Sequence, residues 1–149
     1  MTKVKLTGTA VPLGALYTKD NPVIGEFPDL KPFADFCKSA GISIIQLLPV
    51  NDTGTQSSPY SGLSAFALHP IYIRISTIEG FDALYSSDAK FKTTYDDLYK
   101  NHKYCLRYDY DGILNAKTDL LKQLYDSTNE GKTGEAGAAL SKWIKANSW

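Results

Sequence analysis

The stretch Ile42-Ser43-Ile44-Ile45-Gln46-Leu47-Leu48-Pro49-Val50, running into Asn51-Asp52-Thr53-Gly54, decides how this chain folds. A near-continuous apolar, β-branched run bounded by turn residues predicts a strand buried on both faces, as in a parallel sheet. A polar loop of small residues follows, Thr55-Gln56-Ser57-Ser58-Pro59-Tyr60-Ser61-Gly62. The chain then turns apolar again through Leu63–Leu68 and His69-Pro70-Ile71-Tyr72-Ile73-Arg74-Ile75. A long polar loop leaving the C-terminal end of such a strand is where α/β folds place ligands.

Upstream, Thr9-Ala10-Val11 reads as a first buried strand ended by Pro12-Leu13-Gly14. Asp29 suits a helix N-cap, Pro32 the first turn, and Gly41 the residue just past the end. Leu30, Phe33, Ala34, Phe36, Cys37 and Ala40 share one helical face, which predicts a helix over Asp29–Ala40. Strand, helix, strand is a βαβ unit, which joins parallel strands. Downstream, Ser76–Leu84 holds a short helical turn and the polar, tyrosine-rich Tyr85–Lys103 resembles an insertion. A second helix follows the turn-like Tyr108–Gly112, with Ile113, Leu114, Ala116, Leu120, Leu121 and Leu124 as its face, ending near Tyr125. Asp126–Gly134 reads as a linker and Glu135–Ala146 as a third helix. Two buried strands are far short of the eight or so of a closed parallel barrel. The chain is either a small irregular α/β domain or the front of something larger. Trp149, with no strand after it, suits the second.

Composition excludes several classes. Formal net charge is zero. That argues against a nucleic-acid partner, which needs clustered basic charge, and against an anionic membrane surface. No apolar run approaches the roughly 20 residues of a membrane helix, and Met1–Leu6 lacks a signal peptide's apolar core. A cytoplasmic protein is expected. Cys37 and Cys105 show no motif spacing and read as reduced and buried, with a disulfide as the alternative. Ten tyrosines are many for 149 residues. Their flat faces with polar tips suit sugars, although composition alone favours ordinary half-burial.

Chemistry-bearing motifs are sparse. The histidines are His69 and His102. His69, before Pro70, reads as satisfying a local backbone partner, and His102 as solvated. No nucleophile elbow, phosphate loop, dinucleotide fingerprint or zinc spacing occurs, so no cofactor and no metal are expected. Of two carboxylate pairs, Asp96 with Asp97 are adjacent on a polar segment and point apart, while Asp109 with Asp111 suit capping of the helix that follows better than facing catalytic acids. Asp52 follows the buried strand, so it is either a ligand-side residue or the anchor of an Asx turn. The Ser57–Ser61 loop offers hydroxyls and one ring, Tyr60, which suits the hydroxyl rim and apolar face of a sugar.

Taken together, three blocks resemble the N-terminal region of the 4-α-glucanotransferases (amylomaltases, disproportionating enzymes). They are Leu47–Gly54, Ser57-Ser58-Pro59-Tyr60-Ser61 and Ser64-Ala65-Phe66-Ala67-Leu68-His69-Pro70. Pro12-Leu13-Gly14, Gly25–Leu30 and Tyr110–Lys117 fit the same pattern, so the resemblance covers most of residues 8–149. It implies the N-terminal part of a (β/α)8 TIM barrel, with Thr9–Val11 and Ile44–Val50 as its first two strands. Residues 1–75 would be the first βαβ unit with the sugar loop, and residues 76–149 the start of a mostly helical inserted subdomain. Members cut an α-1,4-glucan, hold the donor part covalently, and pass it to another sugar's 4-hydroxyl.

By the same resemblance Tyr60 stacks on the donor-side glucose and Ser58 contacts the sugar; Asp52, at the C-terminal end of the second strand, is the third substrate-side candidate from its position alone. Many members carry an acidic residue where Gln56-Ser57 stand here, so no charged role is implied there. The family's nucleophile, acid/base and stabilising aspartate lie later than this chain reaches. It should therefore carry no catalytic residue, and should depend on the remainder of the barrel as a truncated or cleaved portion of the enzyme. The alternative is a small non-catalytic carbohydrate-binding or interaction domain.

Overall fold

The computed structural model describes residues 5–19, 23–129 and 135–147. Strand β1 (Gly8–Val11), helix α1 (Leu30–Ser39) and strand β2 (Ile44–Leu47) come first. The strands pair in parallel, Gly8 opposite Ile44 and Val11 opposite Leu47. Helix α1 closes as its sequence dictates. Gly41 adopts φ +75°. Its N–H bonds to Lys38 C=O at 3.2 Å, and Ile42 N–H bonds to Cys37 C=O at 2.8 Å. This Schellman closure satisfies carbonyls the helix leaves open and feeds the chain into β2.

The start of α1 departs from expectation. Asp29 holds the N-cap position, yet its carboxylate makes no cap bond. It accepts instead from Glu26 N–H at 2.8 Å, from Thr18 Oγ1 at 2.9 Å and from Arg74 Nη2 at 2.5 Å. A guanidinium is a stronger partner than a peptide N–H, and it captures the carboxylate.

β2 is also shorter than Ile44–Val50. Leu48 N–H still reaches Val11 C=O at 3.1 Å. Pro49 has no N–H to continue the ladder. Nor is the strand buried on both faces: Ile44 is 48% exposed and Leu47 36%. The sheet has two strands, and the described core cluster contains no strand residue. The apolar run predicts a need for cover that the described residues do not supply.

The core lies among the helices. α2 (Phe81–Ser87), α3 (Ala89–His102), α4 (Tyr110–Asn129) and α5 (Glu135–Ala146) follow two single 3-10 turns, Pro70–Tyr72 and Ile75–Thr77. Ile71 and Ile75 from those turns meet Val23, Ile24, Phe81, Phe91, Leu98, Ile113, Leu120 and Leu124. α3 occupies most of the polar, tyrosine-rich stretch Tyr85–Lys103. Its face is Phe91, Tyr95, Leu98 and Tyr99, at helical spacing once tyrosine is counted as apolar. Asp88 Oδ1 caps it by accepting from Lys90 N–H at 2.8 Å and Phe91 N–H at 2.9 Å. α4 runs past Tyr125 to Asn129, so Asp126–Asn129 is helix rather than linker. Residues 130–134 and Trp149 lie outside the described residues. Tyr72, Tyr85, Tyr95, Tyr99 and Tyr110 all pack against the core.

One buried ion network ties these parts together. Lys117 of α4 donates from Nζ to Glu26 Oε1, to Ile71 C=O at 2.6 Å and to Ile73 C=O at 3.0 Å. Glu26 Oε2 accepts from Arg74 Nε at 2.8 Å. Among the described residues no buried side-chain polar atom lacks a partner. Burial pulls the Lys117 ammonium below the usual lysine range, and Glu26 acts in the opposite direction.

Replacing Lys117 with Met should therefore cost about 3–5 kcal/mol in denaturant unfolding, because it leaves one buried Glu26 oxygen and the Ile71 and Ile73 carbonyls without their donor. Lys31→Met, which breaks an exposed pair with Asp35, should leave the midpoint unchanged.

The packed phenols fix the alkaline limit. Burial first, then neighbouring Tyr110 and Tyr108, pushes Tyr72 up to about 12, and burial likewise raises Tyr99. The unfolded chain ionises these groups from about pH 10, while the folded chain holds their protons. Stability should be fully present below that pH and fall as pH rises towards 12. Tyrosinate absorbance and helical circular dichroism, titrated together, should show a late tyrosine fraction ionising as helix is lost.

Candidate functional site

The loop after β2 is closed at its base by backbone pairing. His69 N–H donates to Val50 C=O at 3.0 Å, Asp52 N–H to Ala67 C=O at 2.9 Å and Leu63 N–H to Asp52 C=O at 2.8 Å. Asn51 bridges Leu68 in antiparallel fashion. Within it, Gln56 N–H returns to Thr53 C=O at 3.1 Å and Ser61 N–H to Ser58 C=O at 3.1 Å. The result is a structured loop whose ends meet.

Asp52 makes the Asx turn: its Oδ1 accepts from Gly54 N–H at 2.8 Å. The same oxygen stands 3.9 Å from His69 Nε2. Gly54 sits at φ +59°, where a Cβ would lie 2.8 Å from Leu63 Cδ1. His69 is buried and, as its position before Pro70 suggests, serves the backbone, with Nδ1 accepting from Ile71 N–H at 3.2 Å. That bond leaves the ring proton on Nε2. Nε2 lies 2.6 Å from the Tyr110 hydroxyl and 3.3 Å from Gly54 C=O. Tyr110 Oη is 3.2 Å from Thr53 Oγ1 and donates towards Gly54 C=O at 3.4 Å. Thr53 Oγ1 donates to Gln56 C=O at 2.6 Å. Burial, as the first cause, raises the Tyr110 phenol, so it stays protonated.

Tyr60 projects from this frame and is 72% exposed. It lines an open recess of about 400 Å3 with Pro49, Asn51, Pro59, Gly62, Ser64 and Ala65. Ser58 is exposed on the same loop, and its Oγ accepts from Tyr60 N–H at 3.4 Å. Ser64 Oγ is occupied, accepting from Phe66 N–H at 3.1 Å and Ala67 N–H at 3.0 Å. The structure thus brings Tyr60, Ser58 and Asp52 onto one loop, with the ring at the recess.

The remaining candidates take structural roles. Asp96 accepts from the Tyr85 hydroxyl at 2.8 Å, and Asp109 Oδ1 accepts from Gly112 N–H at 3.0 Å at the start of α4. Cys37 is buried and Cys105 only half-buried, and both are free thiols. His102 is half-buried in the last turn of α3 rather than fully solvated. Sequence reasoning missed the frame. Tyr110 was visible only as part of a motif, and nothing in the spacing joins it to Thr53 across 57 residues.

An aromatic ring and hydroxyls presented beside an open recess form a surface of the kind that holds flat polar ligands. Comparison with known proteins gives it a lineage. A family model described as 4-alpha-glucanotransferase matches residues 11–149, and the chain belongs to that family. The 4-alpha-glucanotransferase of Chlamydia trachomatis serovar D is 51% identical over 71 residues, covering 48% of this chain and 14% of its own length. The 4-alpha-glucanotransferase DPE2 of Oryza sativa subsp. japonica is 33% identical over 125 residues, 79% of this chain and 12% of that protein. That of Clostridium butyricum is 30% identical over 116 residues, 75% of this chain and 22% of its own. The chain thus spans between about an eighth and about a fifth of these relatives.

The loop base makes its own prediction. Gly54→Ala forces a side chain into the left-handed region against Leu63, at about 1 kcal/mol or more. Hydrogen exchange at the Leu63 amide should accelerate while the helical amides keep their protection.

Proposed function

We propose that this chain is the N-terminal part of a 4-alpha-glucanotransferase. The whole enzyme would move an α-1,4-glucan segment to the 4-hydroxyl of an acceptor sugar with retention, on maltooligosaccharides, starch or glycogen, in the cytoplasm. The single observation that carries the reading is Tyr60. Half of the ten tyrosines pack against the core. This one stands exposed on a hydrogen-bonded loop beside a recess. A pyranose has an apolar face that such a ring covers, here the glucose on the donor side of the cleaved bond. Ser58, whose oxygen already accepts from Tyr60 N–H, keeps its own proton to donate to a sugar hydroxyl. Asp52 spends one oxygen on the Asx turn, leaving the other for a sugar hydroxyl.

The catalytic carboxylates belong, on this reading, to the rest of the enzyme, so the chain alone is inactive. β1 and β2 would be the first two strands of a (β/α)8 barrel. Their exposed apolar residues support this, since parallel sheets are covered on both faces. Residues 1–75 would supply the first βαβ unit and residues 76–149 the start of an inserted helical subdomain. A single apolar core draws on both. No helix among the described residues is long and apolar enough to cross a membrane.

In the whole enzyme, Tyr60→Ala should lower kcat/KM about 2- to 10-fold, the scale of one aromatic contact, with the melting temperature unchanged. Wild-type kinetics in that variant would refute the stacking role. One observation favours a second reading, a self-standing carbohydrate-binding domain: the ion network is complete within the described residues. Titration of maltoheptaose onto the chain alone separates the two. Saturable binding with a cooperative melt supports the binding domain, and its absence supports the fragment.

A further inference from the structure

We infer that Tyr110 and His69 are positioning residues that set where the Tyr60 loop stands and thereby how tightly the donor glucan is held. The inference rests on the reading of Tyr60 given above and adds to it the machinery that orients the ring.

Ile71 N–H donates to His69 Nδ1, so the imidazole proton sits on Nε2 and points at its nearest neighbour, the Tyr110 oxygen at 2.6 Å. With that lone pair used, the Tyr110 hydroxyl donates onward, its one proton shared between Thr53 Oγ1 and Gly54 C=O at 3.4 Å, both in the loop. Thr53 Oγ1 lies 3.2 Å away and its own proton is given to Gln56 C=O at 2.6 Å. A single polarity therefore runs Ile71 N–H, His69, Tyr110, Thr53, Gln56 C=O. Bonds aligned in this way strengthen one another. The chain begins on the 3-10 turn at Pro70–Tyr72, passes through α4, and ends four residues before Tyr60. Tyr110 reaches the loop from 57 residues away in sequence, so it couples the helical core to the recess. Neither residue lines that recess. Their effect on a glucan must pass through the loop.

Tyr110→Phe keeps the ring in its packing and removes the relay. In the full chain, exchange at the Gln56 and Leu63 amides should rise severalfold while α3 and α4 keep their protection. In the whole enzyme, KM for the donor glucan should rise about fivefold with kcat unchanged, as for the loss of one hydrogen bond's worth of positioning. His69 separates positioning from bulk stability. His69→Gln carries a donor to the place of Nε2 and should retain near-wild-type KM. His69→Asn carries an acceptor to the place of Nδ1 only and should match Tyr110→Phe. If Tyr60→Ala impairs transfer while Tyr110→Phe leaves loop exchange and KM at wild type, the positioning role is overturned and the stacking role stands. If Tyr60→Ala itself has wild-type kinetics, the reading beneath both is overturned. Equal behaviour of His69→Gln and His69→Asn would also overturn the relay.

Discussion

A buried lysine with two carbonyls and a carboxylate around it sets the arrangement of this chain. Lys117 reaches from α4 to Glu26 and to the carbonyls of Ile71 and Ile73. Arg74 closes the other side onto Glu26 and Asp29. Three segments far apart in sequence are thereby held in one register: the loop before α1, the pair of 3-10 turns and α4. Apolar packing would press these segments together without fixing their angle, since the hydrophobic effect has no direction. Buried charges that must each find partners do fix it. The cost of leaving any one unpaired is several times the net gain from pairing it.

The same helix carries both the anchor and the reach. Tyr110 and Lys117 are seven residues apart, about two helical turns, and so lie on one side of α4. Lys117 seats the helix on the segment after His69, and Tyr110 then meets His69 and the base of the Tyr60 loop. Stability and the candidate sugar surface therefore share a scaffold. The recess is formed by a loop that is itself stiff, hydrogen-bonded at Asp52, Thr53, Ser58 and Ser64. A stiff loop loses little conformational freedom when a ligand binds.

Much of this was legible in the residues. The parallel strand pair, α1 with its glycine close and the bounds of α5 follow from local signals such as Gly41 and the apolar run at Ile44. The Ser-Pro-Tyr block pointed to the family that comparison then showed. What was not legible has physical reasons. α3 was hidden because tyrosines serve in its apolar face, Tyr95 packing edge-on against Phe81. Asp29 looked like a cap and became an ion-pair partner, because Arg74 is 45 residues further on. Lys117 sits among the apolar positions of α4, and a sequence pattern assigns lysine to solvent. Its burial depends on Glu26, 91 residues away. Long-range electrostatic pairing leaves no periodic trace.

The central claim is that the Tyr60 loop is a glucan-gripping surface already formed on this scaffold. Backbone amide chemical shifts of this segment, isotope-labelled within the whole enzyme and followed as maltoheptaose is added, test it most directly. The account predicts saturable shifts concentrated at Asn51, Asp52, Ser58, Tyr60 and Ser64, with the amides around Lys117 unmoved. Shifts confined to surfaces away from this loop, or spread through the helical core while the loop stays silent, would contradict it.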